Sequence, residues 1–212
     1  MSPKHLTTGP FKAHYLRSGD PYELSNGHPI YCAPASAYLA RFYSIGGLVL
    51  DTDPDVGWVG INAGITTEPG MLRAPNIVVR ATAPEEEGNV WLTEAPPLAV
   101  EYAAEGQDMD DLQCKLAELL QAGTGWIWVV HLTDPRRVEV HRLRQPVQVY
   151  WPGQFLEAPG LLKNPVPVEA LYDREVAHGV ALRNLLQRRG YDSLEAVYAE
   201  GETKGRLGSR IP

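Results

Sequence analysis

RAPNIVVR at residues 73–80, PPLAVEYAA at 96–104, DMDDLQCKLAELLQAG at 108–123 and WIWVVHLTD at 126–134 decide the fold class. Their periodicities predict a strand, a second strand, an amphipathic helix and a third strand. The helix lies between two apolar strands and ends at Gly123, which suits a strand-helix-strand crossover within one sheet. At about 100° per residue, Leu112, Leu116, Leu119 and Leu120 form its buried stripe, with Lys115 on the edge and Asp111 one turn earlier.

Two polar residues stand where the strands should be dry. Glu101 sits within Leu98, Ala99, Val100 and Tyr102, where an ionised carboxylate is costly unless a cation meets it. Asn76 follows Ala74-Pro75 and precedes Ile77-Val78-Val79. Asn76, Glu101 and Lys115 are expected to converge at one end of the sheet, where α/β sheets place their sites. The plainer reading of Lys115 is an i,i+4 pair with Asp111, and the two roles are compatible.

PYELSNGHPI (21–30), LRAPNIVVR (72–80), PPLAVEYAA, the helix bearing Asp111 and Lys115, GWIWVVHLTDPRRVEVHRL (125–143) and GYDSLEAVYAEG (190–201) together resemble the Uma-type restriction endonucleases. These are a bacterial branch of the PD-(D/E)XK nuclease superfamily, and the likeness spans roughly Tyr22 to Gly201. The resemblance implies an α/β, restriction-endonuclease-like fold: a mixed central sheet flanked by helices, with an antiparallel hairpin extension and C-terminal helices. It implies one domain over residues 1–212, with a core at about 20–160 and a C-terminal helical segment at about 168–200.

The family pattern is a proline-aspartate pair opening one strand, a glutamate in the next, and a lysine moved to the following helix. Lys115 lies fourteen residues beyond Glu101 and fits that place, while Ala103 stands where the parent superfamily keeps its lysine. Asn76 stands where the family has aspartate. Glu23 matches a family glutamate in a YEL-x-x-G pattern near the site; a solvated edge-strand glutamate is the plainer alternative. The implied catalytic set is Asn76, Glu101, Lys115 and Glu23, with Asn76 and Glu101 as ligands of Mg²⁺ or Mn²⁺.

In such a site a divalent cation binds the scissile phosphate and lowers the pKa of a bound water, and the ammonium stabilises the charge that develops. Asparagine keeps an oxygen but deletes a charge. Two unit charges about 4 Å apart interact by roughly 4 kcal/mol at an effective dielectric near 20, so cation affinity is expected to fall on the order of a thousandfold. The implied function is a metal-dependent DNA endonuclease with a degenerate metal site. The alternative is a non-catalytic nucleic-acid- or protein-binding module on the same scaffold. The family also implies a homodimer, for which apolar edges such as Trp151 and Phe155 are available.

Composition bounds the rest. The chain has 212 residues, 44% of them hydrophobic, enough for one sizeable core. A formal charge of −7 and a pI near 5.4 argue against a broad, non-specific nucleic-acid binder and leave room for a small basic cleft. Cys32 and Cys114 lack metal-ligand spacing, which points to a reducing cytoplasm rather than a disulfide framework. No apolar run approaches the roughly 20 residues of a membrane span, and MSPKHLTTGPFK lacks a signal-peptide core.

Elsewhere, Tyr22–Tyr31 predicts two strands around Asn26-Gly27. Pro34–Tyr43 predicts a helix ended by Gly46-Gly47, followed by strands at Leu48–Leu50 and Trp58–Asn62. Asp51–Asp55 lacks the glycine and glutamate of a calcium loop and reads as an ordinary turn. Ala83–Gly88 reads as a solvated acidic turn, and Val147–Trp151 with Gln154–Leu156 as a terminal hairpin. Glu175–Arg189 predicts a helix with Val176, Val180, Leu182, Leu185 and Leu186 on its apolar face, then a short last helix and a tail over 202–212. His131 and His141 can approach across a hairpin, with no carboxylate or cysteine at zinc-ligand spacing. Nucleophile-elbow and dinucleotide motifs are missing from the sequence.

Overall fold

The computed structural model of the chain describes residues 9–85, 91–104 and 108–208. β1 (Tyr22–Ser25) and β2 (His28–Tyr31) pair antiparallel around Asn26 and Gly27, whose φ values of 48° and 78° are those that an Asn-Gly hairpin turn requires. α1 (Ala37–Asp51) starts at Ser36, whose hydroxyl accepts the Leu39 N–H. The helix runs through Gly46 and Gly47 instead of stopping there, so Leu48–Leu50 is its last turn and not a strand. The two glycines permit close approach. A Cβ at Gly46 would lie 2.1 Å from the Tyr102 hydroxyl, and one at Gly47 would lie 3.1 Å from Ile61.

β3 (Trp58–Ile61), β4 (Ile77–Arg80), β5 (Leu98–Ala103), β6 (Trp126–His131), β7 (Arg137–His141) and β8 (Gln148–Tyr150) form one six-stranded sheet in that order. Every pairing is antiparallel except β5 with β6, which are parallel and joined across one face by α2 (Met109–Ala122). α2 is opened by the Asp108 carboxylate, which accepts the N–H groups of Asp110 and Asp111, and closed by Gly123 at φ 112°. The crossover is thus the one the central stretch predicts, and the mixed sheet the one the resemblance implies.

All six residues of β5 are buried, because α2 covers one face and α1 the other. Leu112, Leu116 and Leu119 pack on Ala99, Ile127 and Val129; each fully buried leucine contributes about 2–3 kcal/mol. On the opposite face Phe42, Val49 and Leu50 meet Val100, Tyr102 and Trp128.

Three further expectations are corrected. β9 (Phe155–Leu156) pairs with β10 (Val166–Pro167), not with β8, so β8 is left as the edge of the main sheet. α3 (Arg174–Arg188) buries Ala177, Val180, Ala181 and Asn184 while Leu182 and Leu185 stay exposed. Asn184 reaches the end of α1 at the Val49 carbonyl, so a small and polar stripe is what fits there. α4 (Leu194–Gly208) carries the chain through residues expected to be a tail. The turn expected over Asp51–Asp55 begins one residue later, since Asp51 ends α1, and in it the Asp53 carboxylate accepts the N–H groups of Lys163 and Asn164. Residues 86–88 of the expected acidic turn, 105–107 of the loop before α2, and 209–212 lie outside the described residues. No helix among the described residues is long and apolar enough to cross a membrane.

Candidate functional site

Asp111, Lys115 and Glu118 follow one another at i, i+4 and i+7, so α2 presents them along one stripe. That stripe faces β1 and the segment entering β4. The segment is tied to the hairpin by backbone bonds between Leu24 and Leu72, and Arg73 is bonded likewise to Ile65. Glu23, Arg73, Glu101 and the α2 stripe are thereby brought into one network.

Lys115 Nζ lies 2.8 Å from Glu101 Oε1, 3.0 Å from Glu23 Oε1 and 2.8 Å from the Ala74 carbonyl. The Glu101 contact is a buried ion pair. Glu23 Oε1 also accepts the Ala74 N–H at 3.1 Å, and its Oε2 accepts from Arg73 Nη1 at 3.1 Å. Arg73, with no exposed surface, additionally donates through Nε to Glu118 and faces Asp111 Oδ1 at 3.5 Å. Ser25 donates to the other Glu118 oxygen.

The electrostatics follow from burial and pairing. Burial pulls the Lys115 ammonium down, and the carboxylates of Glu101 and Glu23 outweigh it, holding the group above the usual lysine range. Burial likewise opposes the Arg73 charge and is outweighed by Glu118 and Glu23. Burial pushes the Glu101 carboxyl up, against the pull of Lys115. Burial, then the Glu23 charge, raises the Cys32 thiol, which leaves it a poor nucleophile.

Asn76 lies one residue past the last β4–β5 pair, Ile77 with Val100. Its Oδ1 accepts the Tyr102 backbone N–H at 2.8 Å. Of the four expected site residues, then, Glu23, Glu101 and Lys115 meet directly, while the Asn76 side chain is turned to the backbone beside Glu101. The Asp111–Lys115 pair expected within α2 is replaced by Asp111 with Arg73. Arg73 and Glu118 were not singled out from the sequence; the i+7 relation of Glu118 to Asp111 was the signal that could have found it.

A hard divalent cation takes six or more oxygens at about 2.0–2.6 Å. Asn76 offers one oxygen, already bound to an N–H, and its other terminal atom is an NH₂ donor. Glu101 and Glu23 both direct an oxygen at one ammonium. Among the described residues no group of three histidine, cysteine, aspartate or glutamate side chains converges to hold a metal. In this arrangement the residues do not fit a divalent cation.

A family model, Uma2, described as "Putative restriction endonuclease", matches residues 11–168. The chain belongs to the Uma2 family. A solved structure described as a "putative nuclease belonging to DUF820" from Anabaena variabilis ATCC 29413 has a similar fold, with a TM-score of 0.61 at 17% identity. The match covers 77% of this chain and 96% of that one. No curated protein matches. The Uma2 match takes in β1 through β10, and so every residue of the Glu23–Glu101–Lys115 network. α3 and α4 lie beyond it.

Proposed function

We propose that this chain is a Uma2 nuclease scaffold that engages nucleic acid and cleaves it weakly or not at all. The observation that carries this reading is the single Asn76 oxygen engaged by the Tyr102 N–H, where an aspartate would have a second oxygen to offer. The arrangement around Lys115 supports it, since three protein oxygens already surround the ammonium that an active site would turn on a phosphate. The family description, a restriction endonuclease, is in keeping with a nucleic-acid substrate; DNA is the substrate this reading takes, and Mg²⁺ or Mn²⁺ the cation an intact site would take.

The test is cleavage of supercoiled and linear DNA by the parent chain and by Asn76→Asp, each with Mg²⁺ and with Mn²⁺. The parent is expected to leave DNA intact and the variant to nick it. A parent that cuts as fast as the variant overturns the reading. An inert variant that nonetheless binds Mn²⁺ moves it to a pure binding module.

A homodimer and a cytoplasmic setting belong to the same reading. β8 is a sheet edge flanked by Trp151, 44% exposed, and two free cysteines suit a reducing compartment. Light scattering is expected to return twice the 23.4 kDa chain mass; the chain mass itself would exclude the dimer.

A further inference from the structure

Tyr102 points to the face of the sheet opposite Glu101 and meets Phe42 and Tyr43 of α1. On that face, the first turns of α1 and α3 and the β6–β7 turn border an open groove of about 440 Å³. Three arginines line it. Arg136 lays its guanidinium 4.9 Å from the Tyr172 ring centroid. Arg41 stands 5.7 Å from the Phe42 ring, and Arg41 and Arg174 have no ion pair among the described residues. Tyr38 is 53% exposed and meets Phe42 in a T-shaped contact. The two acids of the groove are Asp173 and Glu175. Asp173 Oδ1 is engaged in capping α3 through the N–H groups of Glu175 and Val176.

None of these side chains takes part in the Glu101–Lys115 network. We propose that the groove seats a single-stranded stretch of nucleic acid, with phosphates on Arg41 and Arg174 and a base on the exposed Tyr38 ring. The inference rests on the nucleic-acid reading given above and assigns that partner a place. Guanidinium forks match phosphate oxygens, and aromatic rings beside them stack bases without regard to sequence. A duplex keeps its bases stacked inside and has none to give the tyrosine. An acidic peptide would use the arginines and leave the ring idle. Because the whole chain carries −7, attraction is confined to the groove and is strongly salt-dependent.

The experiment is fluorescence anisotropy with a labelled oligodeoxythymidine of about 20 nucleotides and a duplex of equal length, titrated at low and at raised salt. Arg41→Glu/Arg174→Glu is expected to weaken single-strand binding by about tenfold or more and to flatten its salt dependence. Tyr38→Ala is expected to weaken it about fivefold or more. All three positions are exposed, and thermal unfolding of each variant confirms that the fold is kept. If the parent binds and the variants bind equally well, the groove is overturned while the nucleic-acid reading stands. Preference for the duplex, or full competition by an acidic peptide that Tyr38→Ala does not disturb, also overturns it. A parent that binds neither strand nor duplex overturns the nucleic-acid reading and the groove with it.

Discussion

The side-chain oxygen of Asn76 stands in for a backbone carbonyl: it takes the Tyr102 N–H at 2.8 Å just where the β4–β5 ladder ends. The bond satisfies a buried donor at a strand end and fixes the asparagine's orientation, since only its oxygen can accept. Aspartate could make the same bond with one oxygen and leave the other toward Glu101. One atom therefore separates a strand-end clasp from a strand-end clasp with a cation ligand.

Lys115→Met should be strongly destabilising. It leaves Glu101 and Glu23 buried without their shared counter-ion, a loss of about 3–5 kcal/mol by analogy with other broken buried pairs. Urea unfolding at neutral pH reads this directly. In the parent the Lys115 contribution is complete below its ordinary value of 10.5 and fades as pH rises above it, because the folded-state value is higher. The variant should lack that alkaline loss. Acidification should partly restore the variant, since Glu101, already pushed up by burial, then takes a proton.

Gly46→Ala should cost more than its helical position suggests. A methyl group there meets the Tyr102 hydroxyl, which is buried and donates to the Leu171 carbonyl at 2.9 Å. With Phe42 and Tyr43 against the same ring, the side chain has nowhere to move. About 1–3 kcal/mol of destabilisation is expected in place of the gain alanine usually brings to a helix. Gly46→Ala/Tyr102→Phe should recover part of it, as a denaturation midpoint would show.

His131 and His141 flank Glu139, with Nε2 atoms 3.2 and 3.6 Å from its two oxygens, and Arg137 joins the same carboxylate. A carboxylate thus lies between two histidines whose sequence spacing offered none. Burial holds both imidazoles below 6.5, more than Glu139 raises them. Their contribution to stability is therefore present above pH 6.5 and lost as pH falls through the lower folded values. Urea midpoints should drop between pH 7 and 5, and His131→Gln/His141→Gln should flatten that drop. Loss from Glu139, whose folded value lies below 4.5, belongs to a more acid window.

Much of this was legible in the sequence because period and burial agree there. The apolar β5 and β6 runs and the leucine stripe of α2 fix a parallel pair with one crossover, and Lys115 at the stripe's edge lands on Glu101. Gly46 and Gly47 misled because glycine marks both helix ends and close packing, and only the position of Tyr102 tells which. α3 misled because its buried face is small and polar, set by the end of α1. Arg73 was hidden for a different reason. A buried arginine is costly unless paired, and its partners come from β1 and two turns of α2, a convergence no local pattern carries.

The most direct measurement is isothermal titration calorimetry of Mn²⁺ into the parent chain and into Asn76→Asp at neutral pH. The aspartate variant is expected to bind on the order of a hundred- to a thousandfold more tightly, the scale set by one added charge about 4 Å from the cation. Equal and tight binding by both proteins would mean that the asparagine amide was never the obstacle, and would contradict the account.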